Sequence, residues 1–227
     1  MKIAILAAMD KEMALLKGLL HDAKSVKADD VECLAGRIGE HEVVLAKCGI
    51  GKVNAALNTY KIIRAFGPQL VINSGVAGGA GPLGIGGLLV AGEVAYHDVW
   101  CGPGTEPGAA DGYPRLLTPS AAVLQTAKRV LEGENVSYGL IATGDTFISH
   151  AEEISRIHEI YPDAVAVDME SAAIAQTCKG EGVEFAIIRV VSDTPGQGEN
   201  IDQYKNFWSD APLATFKAVS AILQDLK

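Results

Sequence analysis

Acidic side chains close three apolar runs of this chain, and their placement points to acid–base work on a small polar molecule. The run Val165 to Val167 ends at Asp168, with Met169 and Glu170 next. Phe185 to Val191 runs into Ser192 and Asp193, after which Thr194-Pro195-Gly196 forces a turn. Ile3 to Ala8 is followed by Met9 and, one helical turn in, by Glu12. Carboxylates at the ends of buried parallel strands open onto the crevice where α/β sheets bind ligands. A carboxylate there accepts two hydrogen bonds, which suits neighbouring hydroxyls such as those of a ribose, and two of them can share general acid–base roles. The plainer alternatives are helix-dipole partners for Asp168 and Glu170, a surface acid for Glu12, and a cap or turn former for Asp193. If the three strand ends share one edge of a sheet, Glu12, Glu170 and Asp193 converge on one crevice.

The elements that must position these acids alternate between strand and helix. Strands are predicted over Ile3–Ala8, Val31–Ile38 and Glu42–Lys47, the last two joined by a turn at Gly39-Glu40. Leu70–Asn73 follows, feeding a glycine loop from Gly75 to Gly87. Leu88–Val99 is predicted as one long strand, then Val136–Ala142, the Val165 run and Phe185–Val191. Helices are predicted over Asp10–Leu20, Gly51–Phe66, Ser120–Leu131, Ala151–Ile160, Met169–Cys178 and Asp202–Leu226, the last broken at Pro212. On the Gly51–Phe66 helix, Val53, Leu57, Tyr60 and Ile63 share one face, and Gly67-Pro68 stops it. The alternation predicts an α/β fold: a three-layer α/β/α sandwich around a mixed, largely parallel twisted sheet. Residues 1–227 are read as a single domain, with a Gly/Pro-rich flap inserted at about 101–114.

Composition narrows the partners. Net charge is −9, with 19 basic against 28 acidic residues and no Lys/Arg run, which argues against nucleic acid. No apolar run reaches membrane length, and Met1–Ala8 stops at Asp10-Lys11-Glu12, so it reads as a first strand of a cytoplasmic protein. Cys33, Cys48, Cys101 and Cys178 have no metal or redox spacing. Asn135-Val136-Ser137 spells a glycosylation acceptor that would be idle in the cytoplasm. Two nucleotide motifs fail on context. Gly79-Ala80-Gly81-Pro82-Leu83-Gly84 spells G-x-G-x-x-G but leads into a strand where a dinucleotide loop opens a helix. Gly51-Lys52 resembles the end of a P-loop, but Ala46 replaces its first Gly and Val53 its metal-binding hydroxyl.

The ordered motifs carry a closer likeness. Ala-Ala-Met-Asp-Lys-Glu (7–12), Gly-Ile-Gly-Lys-Val (49–53) and Asn-Ser-Gly-Val-Ala-Gly-Gly (73–79) come first. Tyr-His-Asp (96–98), Thr-Gly-Asp-Thr-Phe-Ile (143–148), Val-Asp-Met-Glu (167–170) and Arg-Val-Val-Ser-Asp (189–193) follow across nearly the whole chain. In this the chain resembles the bacterial 5′-methylthioadenosine/S-adenosylhomocysteine nucleosidases of the purine nucleoside phosphorylase superfamily. The resemblance implies that Glu12 deprotonates the attacking water and that Asp193 protonates purine N7. It implies that Glu170 and the Met169 backbone hold the ribose hydroxyls, that Phe147 stacks on the ring, and that the Ile148 backbone reads the purine edge. Gly78 would line the site through its backbone, with Met9, Val76, Ala77 and Ser192 completing the substrate-binding set. It further implies a homodimer, an adenine nucleoside as small-molecule substrate, and no metal or organic cofactor.

These roles agree with the chemistry. Cleaving an N-glycosidic bond passes through an oxocarbenium-like sugar, as in glycoside hydrolysis. Adenine leaves badly as an anion, so an acid must give it a proton. Asp193 can do so near neutrality only if desolvation lifts its pKa above the usual value of about 3.9. Anionic walls favour the cationic sugar. Two features depart from the family pattern and bear on the substrate's 5′ end. Val76 stands where that pattern has Ser, and the flap from Trp100 to Pro114 lacks the aromatic residues of the family's 5′-alkylthio pocket. The rival readings are a futalosine-type nucleosidase, a purine nucleoside phosphorylase of the same fold, and a non-catalytic nucleoside-binding protein. A phosphorylase needs a cation for phosphate, yet no Arg precedes Arg37.

Overall fold

The computed structural model describes residues 1–198, 200–208 and 213–226. Strand β1 (Lys2–Ala7) leads into helix α1 (Asp10–Leu16) and a short 3₁₀ turn, Lys17–Leu19. An antiparallel meander follows, β2 (His21–Ala28), β3 (Val31–Ile38) and β4 (His41–Lys47), then helix α2 (Lys52–Phe66). Next come β5 (Leu70–Gly79), β6 (Leu88–Val90) and β7 (Glu93–Tyr96), and then helix α3 (Ala121–Val130). The second half runs β8 (Val136–Ser137), β9 (Leu140–Thr143), α4 (Ala151–Ile160), β10 (Ala164–Asp168) and α5 (Ser171–Glu181). It ends with β11 (Glu184–Asp193), α6 (Asn200–Phe207) and α7 (Leu213–Asp225).

The eleven described strands form one mixed sheet with β5 at its centre. β5 pairs in parallel with β1 and with β11, while its end at Gly78 and Gly79 pairs antiparallel with β10. The ends of β1, β5, β10 and β11 are thereby drawn to one place. Strand side chains alternate between the two faces. Ile3, Ile5, Leu45, Ile72 and Ile188 pack against α1, α3 and α7. Ala4, Leu6, Val44, Val71 and Ile187 pack against α2 and α5. Each fully buried Ile or Leu of these layers contributes roughly 1.5–3 kcal/mol. A third cluster under α4 holds Ile148, Ile157 and Tyr161. The α/β class and its layers are as read from the sequence. No helix among the described residues is long and apolar enough to cross a membrane.

Several predicted elements change. The chain after Leu20, which carries no predicted element, is strand β2, exposed along nearly all its length. The glycine loop begins later than expected, because β5 continues through Gly75 to Gly79. The long Leu88–Val99 strand and the Val136–Ala142 strand each divide in two, and they divide together. Gly92 N–H donates to the Gly139 carbonyl at 2.9 Å, where both chains turn. Before that corner β6 pairs with β8, and after it β7 pairs with β9. The last predicted helix is two helices, and its expected break at Pro212 lies outside the described residues. On α2 the buried side chains are Ala55, Thr59, Ile62 and Ile63. Val53, Leu57 and Tyr60, read as one stripe with Ile63, are exposed.

Candidate active site

Where the four strand ends meet, one cavity collects every residue singled out from the sequence. Met9, Glu12, Val76, Ala77, Gly78, Phe147, Ile148, Met169, Glu170, Ser192 and Asp193 all line it, joined by Ala8, Ile50, Thr146, Val167, Asp168 and Tyr204. Among the described residues its side chains with a carboxyl group are Glu12, Asp168, Glu170 and Asp193, and no Lys, Arg or His lines it.

Glu12 reaches the cavity from the first turn of α1, and backbone amides hydrogen-bond its carboxyl group. Its Oε2 accepts from Ala8 N–H at 2.8 Å and Met9 N–H at 2.9 Å, and its Oε1 accepts from Val76 N–H at 3.1 Å. Burial raises its pKa, and the nearby Arg189 guanidinium and these three amides pull it back. The close approach needs glycine at position 75, where an added Cβ would overlap Glu12 Oε1 and crowd the Arg189 guanidinium.

Arg189 lies beneath this floor, 2% exposed. Its Nη2 donates to Asp168 Oδ2 at 2.7 Å and to Ser171 Oγ at 3.0 Å, and also to Asn73 Oδ1, while Nε donates to Asp168 at 3.0 Å. Asp168 accepts further from the Ser171 hydroxyl and from Thr143 Oγ1, the latter at 2.6 Å. Its carboxylate is therefore committed to the fold. Of the two acids at the end of β10, Glu170 is the one with capacity left for a ligand. Glu170 Oε1 accepts from Gly51 N–H at 3.0 Å, and its Oε2 stands 4.0 Å from Arg189. Gly51 has φ +88°, a conformation that favours glycine and that aims its N–H across the gap. Burial, with Asp168 next to it, pushes the Glu170 pKa up to about 7 against the pull of Arg189.

Asp193, at the end of β11, has a different setting. Ser192 Oγ donates to its Oδ1 at 2.7 Å and Asn200 Nδ2 to its Oδ2 at 3.2 Å. Burial raises its pKa, and these two neutral donors lower it. Above it, Phe147 meets Tyr204 edge to face at 5.5 Å, and Tyr204 meets Trp208 likewise at 5.8 Å. Phe147 keeps an exposed face, as a stacking platform for a planar ring requires.

Sequence reading missed Arg189, Gly51, Tyr204 and Asn200 as parts of the site. Arg189 carried a signal, being the one charge inside an apolar strand, since buried cations require partners. Tyr204 and Asn200 carried none, because α6 is polar and its approach is tertiary.

A mixed sheet whose strand ends gather differently supported carboxyl groups is equipped for acid–base work on a small ligand. The chain belongs to the phosphorylase superfamily, whose family model matches residues 2–224. Within it the chain is 37% identical over 228 residues to the 5′-methylthioadenosine/S-adenosylhomocysteine nucleosidase of Staphylococcus epidermidis, covering 99% of this chain and 100% of that one. Among solved structures it is similar to the corresponding nucleosidase of Neisseria meningitidis in complex with methylthio-immucillin-A. The TM-score there is 0.94 at 35% identity, over 99% of each chain. Futalosine hydrolase of Helicobacter pylori is a more distant neighbour at 29% identity, with TM-score 0.93 over 99% of this chain and 98% of that one. The likeness read from the motifs thus extends along the whole chain.

Proposed function

We propose that this protein hydrolyses the N-glycosidic bond of 5′-substituted adenine nucleosides, 5′-methylthioadenosine and S-adenosylhomocysteine, releasing adenine and the free 5′-thio sugar. The observation that carries the reading is the contrast between Glu12 and Asp193 in one cavity. Glu12 is held by three amides and a neighbouring cation, the setting of a base; Asp193 is buried among neutral donors, the setting of an acid. Asp193 gives its proton to purine N7 as the bond from the sugar to N9 breaks. Glu12 takes a proton from water as the water oxygen bonds to the sugar carbon. Glu170 and the Met169 backbone grip the ribose hydroxyls, Phe147 stacks on adenine, and the Ile148 backbone reads its edge. Gly78 lines the site through its backbone, with Met9, Val76, Ala77 and Ser192. Water is favoured over phosphate as the nucleophile because the cavity wall is acidic and Arg189, the nearest guanidinium, is already bound by Asp168, Asn73 and Ser171.

The reading includes a homodimer acting in the cytoplasm. Ile50 lines the cavity yet is exposed, and Val53, Leu57, Tyr60 and Trp100 are exposed apolar side chains as well. No residue of the 101–114 flap lines its own chain's cavity, which leaves the flap available to a neighbour's. Free thiols at Cys33, Cys48, Cys101 and Cys178 suit a reducing compartment. The test is incubation of purified protein with methylthioadenosine, adenosylhomocysteine, 5′-deoxyadenosine and a futalosine-type nucleoside, with and without phosphate. Phosphate-independent release of adenine from the first two is expected. A phosphate requirement with sugar 1-phosphate as product, or preference for the futalosine-type nucleoside, refutes the reading.

A further inference from the structure

Behind the purine acid stands a side chain outside the set of cavity-lining residues. Asn200 opens α6, is 4% exposed, and lies outside the cavity wall. Its Nδ2 donates to Asp193 Oδ2 at 3.2 Å and to the Ile148 carbonyl at 3.2 Å. One amide therefore joins two groups that come from separate parts of the chain, the end of β11 and the segment before α4. We propose that Asn200 is a positioning residue for the acid: it fixes Asp193 and the Ile148 backbone at one spacing, and it stabilises the carboxylate left when the proton departs. This deepens the nucleosidase reading and rests on it.

A general acid and an edge-reading backbone group serve one purine only if their separation is fixed to a fraction of an ångström. A single buried amide with two N–H donors and two acceptors sets that separation with no flexible linker. A hydrogen bond to a carboxylate also favours its charged form, so the donor makes Asp193 a stronger acid than burial alone would leave it. The groups facing Asp193 are Ser192 on β11 and Asn200 and the Tyr204 phenol on α6. Glu12 on α1 and Glu170 ahead of α5 line the same cavity.

The experiment compares wild type with Asn200→Ala and the isosteric Asn200→Asp, using methylthioadenosine across pH. A para-nitrophenyl riboside bearing a 5-methylthio group, whose phenolate leaves without a proton, is the second substrate. The acid must be protonated to act, so activity falls as pH rises through its pKa. Losing the donor raises that pKa, and the basic limb of kcat is expected to move up by about 1 unit in Asn200→Ala, and at least as far in Asn200→Asp. The plateau kcat for methylthioadenosine is expected to fall about 10-fold, while the aryl riboside is cleaved within about 2-fold of wild type. Asn200→Gln, which keeps the N–H donors, is expected to restore part of both. An unmoved limb, an equal loss on both substrates, or a lower KM for methylthioadenosine in Asn200→Ala overturns the inference. A wild-type protein that releases no adenine overturns the nucleosidase reading and this inference with it.

Discussion

The two walls of the cavity hold the same functional group in opposite ways. On the Glu12 wall, three backbone amides converge on one carboxylate, and a buried Arg189, tied to Asp168, Asn73 and Ser171, lies under it. On the Asp193 wall there is a hydroxyl and an amide, each neutral. Burial raises the pKa of both acids, and a guanidinium opposes it at Glu12 alone. Two carboxyls can divide the work of base and acid when their surroundings separate them, and the surroundings differ here by one cation placed beneath one wall. Binding of a purine over Asp193 would remove more water from that side and widen the difference.

The largest effect is expected from removing that cation. Arg189→Met leaves Asp168 buried beside an apolar chain, and breaking a buried pair from one side costs about 3–5 kcal/mol. Denaturant titration is expected to show a loss of that order, with Arg189→Lys losing less. In whatever folded enzyme remains, the acid limb of kcat/KM moves to higher pH, because Glu12 loses the charge that favours its ionised form. A stability unchanged within about 1 kcal/mol would show that the network does not hold the floor together.

Next in size are the two acids themselves. Glu12→Gln and Asp193→Asn are each expected to lower kcat by about 10²-fold or more, the usual scale for losing a general base or acid. The walls then differ in how the loss depends on the leaving group. An aryl riboside that needs no proton should rescue Asp193→Asn and leave Glu12→Gln impaired. Equal rescue of both, in steady-state assays, would erase the assignment of roles.

Glu170→Gln gives a smaller change with two signs. KM is expected to rise several-fold, since the carboxylate grips hydroxyls in the ground state as well. Stability of the free protein at pH 7 is expected to rise. The folded pKa of Glu170 is lifted from the ordinary 4.5 to about 7, so its stabilising contribution is full below the ordinary value and is lost as pH climbs through the folded one. Near neutrality wild type has lost that contribution, and the amide has no charge to desolvate. A thermal melt at pH 7 checks this, and Tm falling in the variant would contradict it.

Most of the cavity was legible in the sequence because each acid lies within a few residues of the end of an apolar run, and because ordered motifs carried a family likeness. Asp168 was legible as a strand-end acid and no further, since its partner Arg189 lies 21 positions away and only the β10–β11 arrangement joins them. Strand β2 was illegible for another reason: exposed on both faces, it lacks the alternation that marks a half-buried strand. The divided strands were read as continuous because Gly92 and Gly139 look like single weak points, and their mutual hydrogen bond at the corner is a tertiary fact. On α2 a helical apolar stripe was visible, but periodicity gives the stripe and not its partner. Ala55, Thr59 and Ile62 form the core face instead.

That outer stripe supplies the smallest effect and a test of where the cavity ends. Ile50 lines the cavity and is itself exposed, and Val53, Leu57 and Tyr60 on α2 are exposed as well, Val53 at 74%. Burying such residues between two copies would stabilise a dimer, at roughly 25 cal/mol per Å² of apolar surface removed from water. On the proposed reading, with the 5′ substituent directed toward Ile50, it would also cover that substituent. Leu57→Glu puts an unpaired charge in that surface without touching either acid. The variant is expected to elute as a monomer at concentrations where wild type is a dimer. Its kcat/KM for methylthioadenosine is expected to fall by about 10-fold or less, the span that a few apolar pocket contacts allow. For 5′-deoxyadenosine, which has no thio group to cover, the fall should be smaller. Wild-type activity per chain should decline on dilution in step with the dimer fraction. A Leu57→Glu protein that stays dimeric, or a monomer with unchanged preference between the two substrates, would mean that this chain alone completes the 5′ side.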